Sequence, residues 1–393
     1  MSSQFINRFS PSSGWDAPIS QMRNRKIPFM VRILVISHSA DPRDSVLWNA
    51  VLNQNPLVDL VIPMLTGGSK LPWFEHQRVI PMAATEPFGK GHSSMWIKGL
   101  GAVATSGKYD LVHAAFEPWS LIPQSLCGKI PIVVQGAESV VVDAHWSLKA
   151  RRVGLTRVLK KAAGVLTWGQ TSLDAFRIAG LPETTPQGVI PMGIPDPQVF
   201  SPTPVNSTTR PLRLLYVGRL VPEKGILTLI RAICELGQLV ELRVLGEGPL
   251  AGELPALVAG CTNVSLILEG KANADQVSAA MSWSHAVVVP SEPTSSWKEQ
   301  WGRVAVEAML SARPTVVSDS GELPFLVTQS ELVFPAGDVS ALARILRRLN
   351  EERPSLTELG NMLCTSAARF SPDRLAGELN DFWVRAAHHA ENE

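Results

Sequence analysis

The sequence predicts an α/β protein in which short buried strands alternate with helices. Apolar, β-branched runs, such as those within Val31–Ser37 and Val287–Val289, stop at Ser or Pro, which is typical of strands buried on both faces. Segments with helical spacing lie between these runs. The 393 residues suffice for two domains of ordinary size. A polar Pro/Thr/Ser segment at 201–211 indicates a linker between them.

Charge and cysteine content exclude several classes of protein. The 36 basic and 35 acidic residues nearly balance, whereas a general nucleic-acid binder carries a basic excess, so no nucleic-acid partner is expected. The four cysteines show no CxxC and no paired spacing, which argues against a zinc ribbon or a disulfide framework and favours a reducing cytoplasm. No stretch reaches the ~18 consecutive apolar residues of a membrane helix, so we expect a cytoplasmic, soluble or membrane-peripheral protein.

The stretch Val287–Gly321 predicts a strand, a loop, a helix and a second strand, an order that creates an anion site. The first strand stops at Pro290, and the first turn of the helix falls near Gly302. A helix N-terminus offers unpaired backbone N–H groups and the positive end of the helix dipole. The stretch therefore suits a diphosphate.

Two carboxylates flank this predicted anion site. Glu299 lies in the loop, and Glu307 lies in the helix eight positions later. Because both would repel a phosphate, we interpret them as acceptors of hydrogen bonds from sugar hydroxyls. The alternative is a pair of surface glutamates in salt bridges, which the spacing alone favours.

A cationic motif opens the second half of the chain. Leu212–Val217 predicts a strand, and the sequence GRLVPEKG follows it. Arg219 and Lys224 flank the resulting turn, at the mouth of the sheet, where a doubly wound fold binds its ligands. Arg supplies a fork and Lys a point charge for phosphate oxygens. Taken alone, such a pair is more often surface charge.

Together these motifs resemble the donor site of retaining glycosyltransferases with the GT-B fold, family four (glycosyl transferases group 1). The resemblance includes the E-x7-E pair, the strand that follows it and GRLVPEKG, in the expected order. Gln300 stands where the family usually has Gly, and Trp301 stands where Phe is common. The resemblance implies two doubly wound, Rossmann-like domains facing a central cleft.

Composition predicts the leader and the linker, and the resemblance implies the rest of the domain organisation. Its five parts are a disordered leader at 1–30, an N-terminal acceptor domain at 31–203, a linker at 204–211, a C-terminal nucleotide-sugar donor domain at 212–369, and a helix at 370–387 that crosses back to the first domain.

A role for each matching residue follows from the resemblance. The catalytic candidates, which offset the charge of the leaving diphosphate or accept from sugar hydroxyls, are Arg219, Lys224 and Glu299. The remaining donor-binding candidates are Gly218, Gln300, Trp301, Gly302 and Glu307, the last as acceptor from ribose hydroxyls. The nucleotide diphosphate sugar is a co-substrate, and no cofactor is expected. No metal is expected either, because the chain has no D-x-D motif.

The acceptor side offers weaker candidates. The fragment YDLVHAAFEPWSL resembles the strand of the family that ends in a cleft-facing histidine, which makes His113 a candidate, with a core histidine as the alternative. Relatives often place a functional histidine after the next strand, where Glu138 is the nearest polar residue here. The basic amphipathic segment 147–163 suits contact with an anionic membrane and a lipid-linked acceptor, although a solvated surface helix is the simpler interpretation.

The implied function is retaining transfer of a sugar from a nucleotide diphosphate sugar to the hydroxyl of a glycan, glycolipid or small molecule. Two alternatives stay open. A GT-B-fold nucleotide-sugar epimerase would need acid–base residues in the first domain. A non-catalytic sugar-nucleotide binding protein would explain why the first domain lacks both the Gly-Gly loop and the acceptor histidine that relatives carry.

Overall fold

The computed structural model describes residues 30–38, 41–65, 74, 76–87, 92–139, 146–205 and 210–392. Most of the predicted leader and part of the predicted linker lie outside these residues. The described chain forms two α/β units, each built on one sheet that is covered by helices, as the sequence predicts.

The first sheet has eight strands, all parallel except for the antiparallel pair β3 and β4. The strands are β1 (Ile33–Ile36), β2 (Val58–Leu65), β3 (Val79–Thr85), β4 (Trp96–Ile97), β5 (Leu111–Ala114), β6 (Ile132–Gly136), β7 (Gly164–Thr167) and β8 (Gln187–Val189). Their spatial order is β4-β3-β2-β1-β5-β6-β7-β8. The α-helices of this unit are α1 (Pro42–Gln54), α2 (Leu100–Ala104), α3 (Leu121–Leu126), α4 (Trp146–Leu159) and α5 (Gln170–Ile178).

The second sheet has six parallel strands in the order β11-β10-β9-β12-β13-β14. They are β9 (Leu212–Val217), β10 (Val240–Leu245), β11 (Val264–Gly270), β12 (Ala286–Val289), β13 (Thr315–Ser318) and β14 (Val333–Phe334). The α-helices that follow β9 are α6 (Ile226–Leu236), α7 (Leu254–Val258), α8 (Ala274–Trp283), α9 (Arg303–Leu310), α10 (Leu323–Leu326), α11 (Val339–Glu351), α12 (Leu356–Ala367) and α13 (Pro372–Asn392).

The strands form because their side chains are apolar on both faces. In β1, Ile33 and Val35 belong to the core shared with α1 and α13, whereas Leu34 and Ile36 belong to the core shared with α2, α3, α4 and α5. Such a strand is buried on both sides, which explains its continuous apolar sequence.

Each sheet has a point where the strand order reverses, between β1 and β5 in the first and between β9 and β12 in the second. Loops leaving two strands at such a point run in opposite directions and open a crevice at the carboxyl ends of the strands. This crevice in the second sheet receives the loops that carry the predicted donor motifs.

Two features join the units. The terminal helix α13 returns to the first unit, where Asn55 Nδ2 donates to Asn380 Oδ1 at 2.8 Å. The side chain of Arg313 is fully buried in the second unit and donates to the carbonyl of Thr203 in the connecting segment at 2.8 Å. Burial lowers the pKa of Arg313 to about 10, so it stays charged at neutral pH.

A disulfide joins Cys234, near the end of α6, to Cys261, in the loop before β11. Their Cα atoms lie 5.5 Å apart. The sequence argument against a disulfide framework missed this pair, because the packing of α6 beside that loop brings together residues that are 27 positions apart. Within the described ranges, no helix has both the length and the apolar composition needed to cross a membrane.

Candidate active site

The site lies at the carboxyl ends of β9 and β12, where two predicted residues meet. Lys224 follows β9 and Glu299 follows β12, and the Lys224 ammonium donates to Glu299 Oε2 at 2.7 Å. The Lys224 side chain is 20% exposed and that of Glu299 is 11% exposed. A cation and a carboxylate 75 positions apart in sequence thus form one partly desolvated pair at the crevice.

The Tyr216 side chain stabilises the turn that carries Lys224. The buried Tyr216 hydroxyl donates to the carbonyl of Arg219 at 2.9 Å and lies 3.4 Å from that of Lys224. Burial, reinforced by the charge of Glu299, raises the pKa of Tyr216, so it stays a neutral donor. The Lys224 ammonium also lies over the ring of Trp297, 4.7 Å from its centroid. The direction of the Lys224 side chain is therefore set by two contacts, with Glu299 and with Trp297, on a turn that Tyr216 stabilises.

Two further hydrogen bonds fix the position of Glu299. The Ser291 hydroxyl donates to the same Oε2 atom at 2.6 Å, and the backbone N–H of Glu322 donates to the Glu299 carbonyl at 3.0 Å. Among the described residues no hydrogen bond is formed to the second carboxylate oxygen, Oε1, which can accept from a ligand.

The helix N-terminus beside this pair has the predicted position, because α9 begins directly after Gly302. Gly302 has φ +73°, and a Cβ there would lie 2.5 Å from a methyl of Leu323, so only glycine suits this turn. The first N–H groups of α9 have no partner within the helix, and the positive end of the helix dipole lies at this N-terminus. A diphosphate next to Lys224 would find these donors.

The other donor-side candidates differ in which of their atoms a ligand can reach. The Trp301 indole is buried and packs edge-on against Phe370 at 4.9 Å, so only the backbone of Trp301 is available for a ligand. Gln300 beside it is partly exposed, and Gly218 follows β9 directly. These glycine and backbone positions suit close approach of a phosphate.

Glu307 and Arg219 occupy opposite extremes of exposure. Glu307 is 6% exposed and forms an ion pair with Arg303, at 2.9 Å from Nε to Oε1. The Arg219 side chain is 63% exposed and lies 3.6 Å from Glu223. Arg219 therefore sits at the rim, where solvent screens its charge more than that of Lys224.

On the acceptor side, the candidate His113 is in the core and does not face the cleft. The Trp383 indole N–H of α13 donates to His113 Nδ1 at 3.1 Å, and the His113 side chain is fully buried. Burial lowers the pKa of His113 to about 3, so it is neutral and structural. The β5 register determines this, because the third residue of β5 points into the layer under α13.

Glu138 lies after β6, and its backbone N–H donates to a carboxylate that the sequence reasoning missed. Glu117 Oε1 accepts from the N–H groups of Ala137 at 2.7 Å and Glu138 at 3.1 Å. Burial raises the pKa of Glu117 to about 8. The sequence could have indicated Glu117 as a site residue, because it lies three residues after a predicted strand, at the edge of the sheet where ligands bind.

Comparison with known proteins agrees with this geometry. Residues 211–352 match the family model of glycosyl transferases group 1. The chain is 29% identical over 167 residues to the amylovoran biosynthesis glycosyltransferase AmsK of Erwinia amylovora, covering 41% of each protein. It is 28% identical over 185 residues to a D-inositol 3-phosphate glycosyltransferase of Streptomyces bingchenggensis, covering 44% of this chain and 40% of that protein. These matches span about two fifths of each curated relative.

Solved structures share the fold over nearly the whole chain. Anabaena HepE in complex with UDP and glucose superposes with a TM-score of 0.66 at 19% identity, covering 90% of this chain and 99% of that one. Sucrose-phosphate synthase from Thermosynechococcus elongatus gives 0.68 at 19% identity, covering 90% and 98%. The fold is GT-B, which confirms the predicted class, and the resemblance to group 1 glycosyltransferases is confirmed in residues 211–352.

Proposed function

We infer that the chain belongs to the glycosyl transferases group 1 and transfers a sugar from a nucleotide diphosphate sugar to an acceptor hydroxyl, with retention at the anomeric carbon. The observation that carries this proposal is the 2.7 Å pair of Lys224 and Glu299 at the reversal point of the second sheet. A cation for phosphate and a carboxylate for hydroxyls stand side by side there, next to the N-terminus of α9. HepE, which shares the fold, is solved with UDP and glucose.

The residues have distinct roles in the proposed reaction. As the sugar–phosphate bond breaks, charge grows on the leaving diphosphate, and Lys224 together with the first N–H groups of α9 stabilises that charge. Arg219 adds a screened positive charge from the rim. Glu299 accepts from sugar hydroxyls through Oε1, while Ser291 keeps its other oxygen in place. Glu307 accepts from ribose hydroxyls.

Retention needs no protein nucleophile in this proposal. The departing phosphate takes the proton of the acceptor hydroxyl on the same face of the sugar from which it leaves. We further propose that no divalent metal takes part, because Lys224, Arg219 and the helix N-terminus already supply fixed positive charge where such a cation would sit.

The acceptor is proposed only by class, as a hydroxyl of a glycan, glycolipid or small molecule. A cytoplasmic, membrane-peripheral location is also proposed, with the predicted segment 147–163 as the contact. In its described part, Val153 is 71% exposed, beside exposed Arg157, Lys160 and Lys161. Apolar and basic side chains on one surface suit an anionic bilayer. Co-sedimentation with phosphatidylserine vesicles, compared with phosphatidylcholine vesicles, would check this.

The transferase proposal is tested with UDP-glucose as the probe and a panel of hydroxyl acceptors. Release of UDP only when an acceptor is present supports the transferase, whereas tight binding without turnover contradicts it and favours the binding module. UDP at ~100 times its dissociation constant should add about 2.7 kcal/mol to the free energy of unfolding. Lys129→Met is a matched control, because this exposed lysine precedes β6, at the opposite end of the strand from the cleft.

One observation favours the epimerase as a second candidate. An epimerase needs acid–base groups in the first domain, and Glu117, with a pKa raised to about 8, is a carboxyl that can be protonated at neutral pH. Incubation of UDP-glucose without an acceptor separates the two functions. Isomerised sugar in the product would favour the epimerase, and unchanged donor would favour the transferase.

A further inference from the structure

Glu322 links the two domains through hydrogen bonds to the N-terminus of α5. It belongs to the second domain, at the start of α10, yet its carboxylate lies against α5 of the first domain. Glu322 Oε1 accepts from the N–H of Gln170 at 3.0 Å, and Oε2 accepts from the N–H and the hydroxyl of Thr171, both at 3.2 Å. Glu322 thus supplies, from the other domain, the capping carboxylate of a nine-residue helix.

The backbone at Gly169 lies directly against the Glu322 carboxylate. Gly169 directly precedes α5 and has no side chain with which to cap it. A Cβ on Gly169 would lie 2.4 Å from Glu322 Oε2 and Cδ. Trp168, the residue before it, packs against the hydrophobic cores of both domains. This segment therefore contacts Glu322 and both cores at once.

The same residue holds the donor loop from its other side. The backbone N–H of Glu322 donates to the Glu299 carbonyl at 3.0 Å. Gly321, next to it, approaches the Glu299 backbone so closely that a Cβ would lie 2.0 Å from that carbonyl oxygen. A continuous set of contacts thus runs from the Glu299 backbone through Glu322 to α5.

We propose that Glu322 is a positioning residue that couples the donor loop around Glu299 to the acceptor domain through α5. The inference rests on the proposed function, in which the role of the coupling is to bring the acceptor domain into place when the donor loop is ordered. The Glu322 side chain is fully buried and its partners on α5 are partly buried, which limits the access of water to these hydrogen bonds. The coupling itself is a property of the chain and can be measured without a substrate.

Amide hydrogen exchange of the full chain tests the coupling directly. Gly169→Ala introduces a methyl against the Glu322 carboxylate from the acceptor side. We expect exchange in a peptide covering 319–326 of the donor domain to accelerate about tenfold, as for the loss of one hydrogen bond. Gly101→Ala is the matched control, because a Cβ there meets nothing within 4 Å. The double variant Gly169→Ala, Glu322→Ala removes the clash and should return the peptide to the rate of Glu322→Ala alone.

Glu322→Gln tests the same contact without a clash, in case Gly169→Ala does not fold. An amide cannot accept at both positions, so exchange should accelerate both in a peptide covering 169–175 and in one covering 297–303. Acceleration confined to the 169–175 peptide would mean that Glu322 is only a local cap, and would overturn the coupling. So would a 319–326 peptide in Gly169→Ala that exchanges as in Gly101→Ala. Acceptor-dependent release of UDP from UDP-glucose by the unmodified protein tests the proposed function separately, because the exchange comparison contains no nucleotide.

Discussion

Replacing Lys224 by Met removes one positive charge from the centre of the site and little else. Methionine keeps an unbranched, apolar stem against the ring of Trp297, over which the ammonium now lies at 4.7 Å. Tyr216 holds the turn through backbone carbonyls, so the turn itself does not depend on the lysine side chain. Glu299 retains the hydrogen bond from the Ser291 hydroxyl. The variant should therefore fold, with a free energy of unfolding lowered by about 1–3 kcal/mol for the lost charged hydrogen bond.

The effect on catalysis should be larger than the effect on folding. The Lys224 side chain is only 20% exposed, so its charge is weakly screened and is preorganised toward the leaving diphosphate. Losing one such contact raises the barrier by about 3 kcal/mol, or roughly 10²-fold in kcat. Arg219 provides the internal comparison, because its side chain is 63% exposed. Arg219→Met should cost about 1 kcal/mol, or roughly fivefold.

The assay measures acceptor-dependent release of UDP from UDP-glucose at saturating donor, with Lys129→Met as the control for loss of a lysine. A circular-dichroism melt of each variant confirms that it is folded. If Lys224→Met turned over within a factor of about three of the unmodified protein, the placement of the diphosphate beside Lys224 would be wrong. If Arg219→Met were the more damaging variant, the reasoning from exposure would fail and the diphosphate would lie at the rim.

Three further predictions follow from the site. Glu307→Gln should weaken UDP binding about tenfold, whereas Glu299→Gln should spare UDP binding and slow transfer; calorimetry showing the reverse order would mean that their roles are exchanged. Burial raises the pKa of Glu117 to about 8, so the stability it contributes is full below its unfolded pKa, about 4.5, and is lost as pH rises through 8. Melts at different pH should show that the free energy of unfolding falls by a few kcal/mol between pH 5 and 9. Glu117→Gln should remove this fall, and an unchanged profile in that variant would contradict the prediction. Transfer should survive exhaustive chelation and dialysis, and activity restored by Mg or Mn alone would overturn the metal-free account of the diphosphate site.

Local sequence was sufficient wherever an element is specified by its own residues. The strand at Val287–Val289 was predictable from its β-branched residues. The start of α9 near Gly302 was predictable from the helix-forming residues that follow. The alternation of such elements also predicted the α/β class. The motif order predicted which loops lie at the crevice, since parallel strands place their carboxyl ends at one edge.

Tertiary structure decided what depends on register or on a partner far along the chain. The motif around His113 predicts a residue that faces the cleft. The register of β5 instead places its side chain beneath Trp383, and the local sequence does not show on which face of the sheet it lies. The pairing of Cys234 with Cys261 depends on how α6 packs beside the loop before β11. Glu322 looks like an ordinary charged residue in sequence, and only the approach of the two domains brings its carboxylate to α5, 151 residues away from Thr171. The physical reason is that periodicity encodes burial along one element, whereas contacts between elements are determined by how their faces pack together.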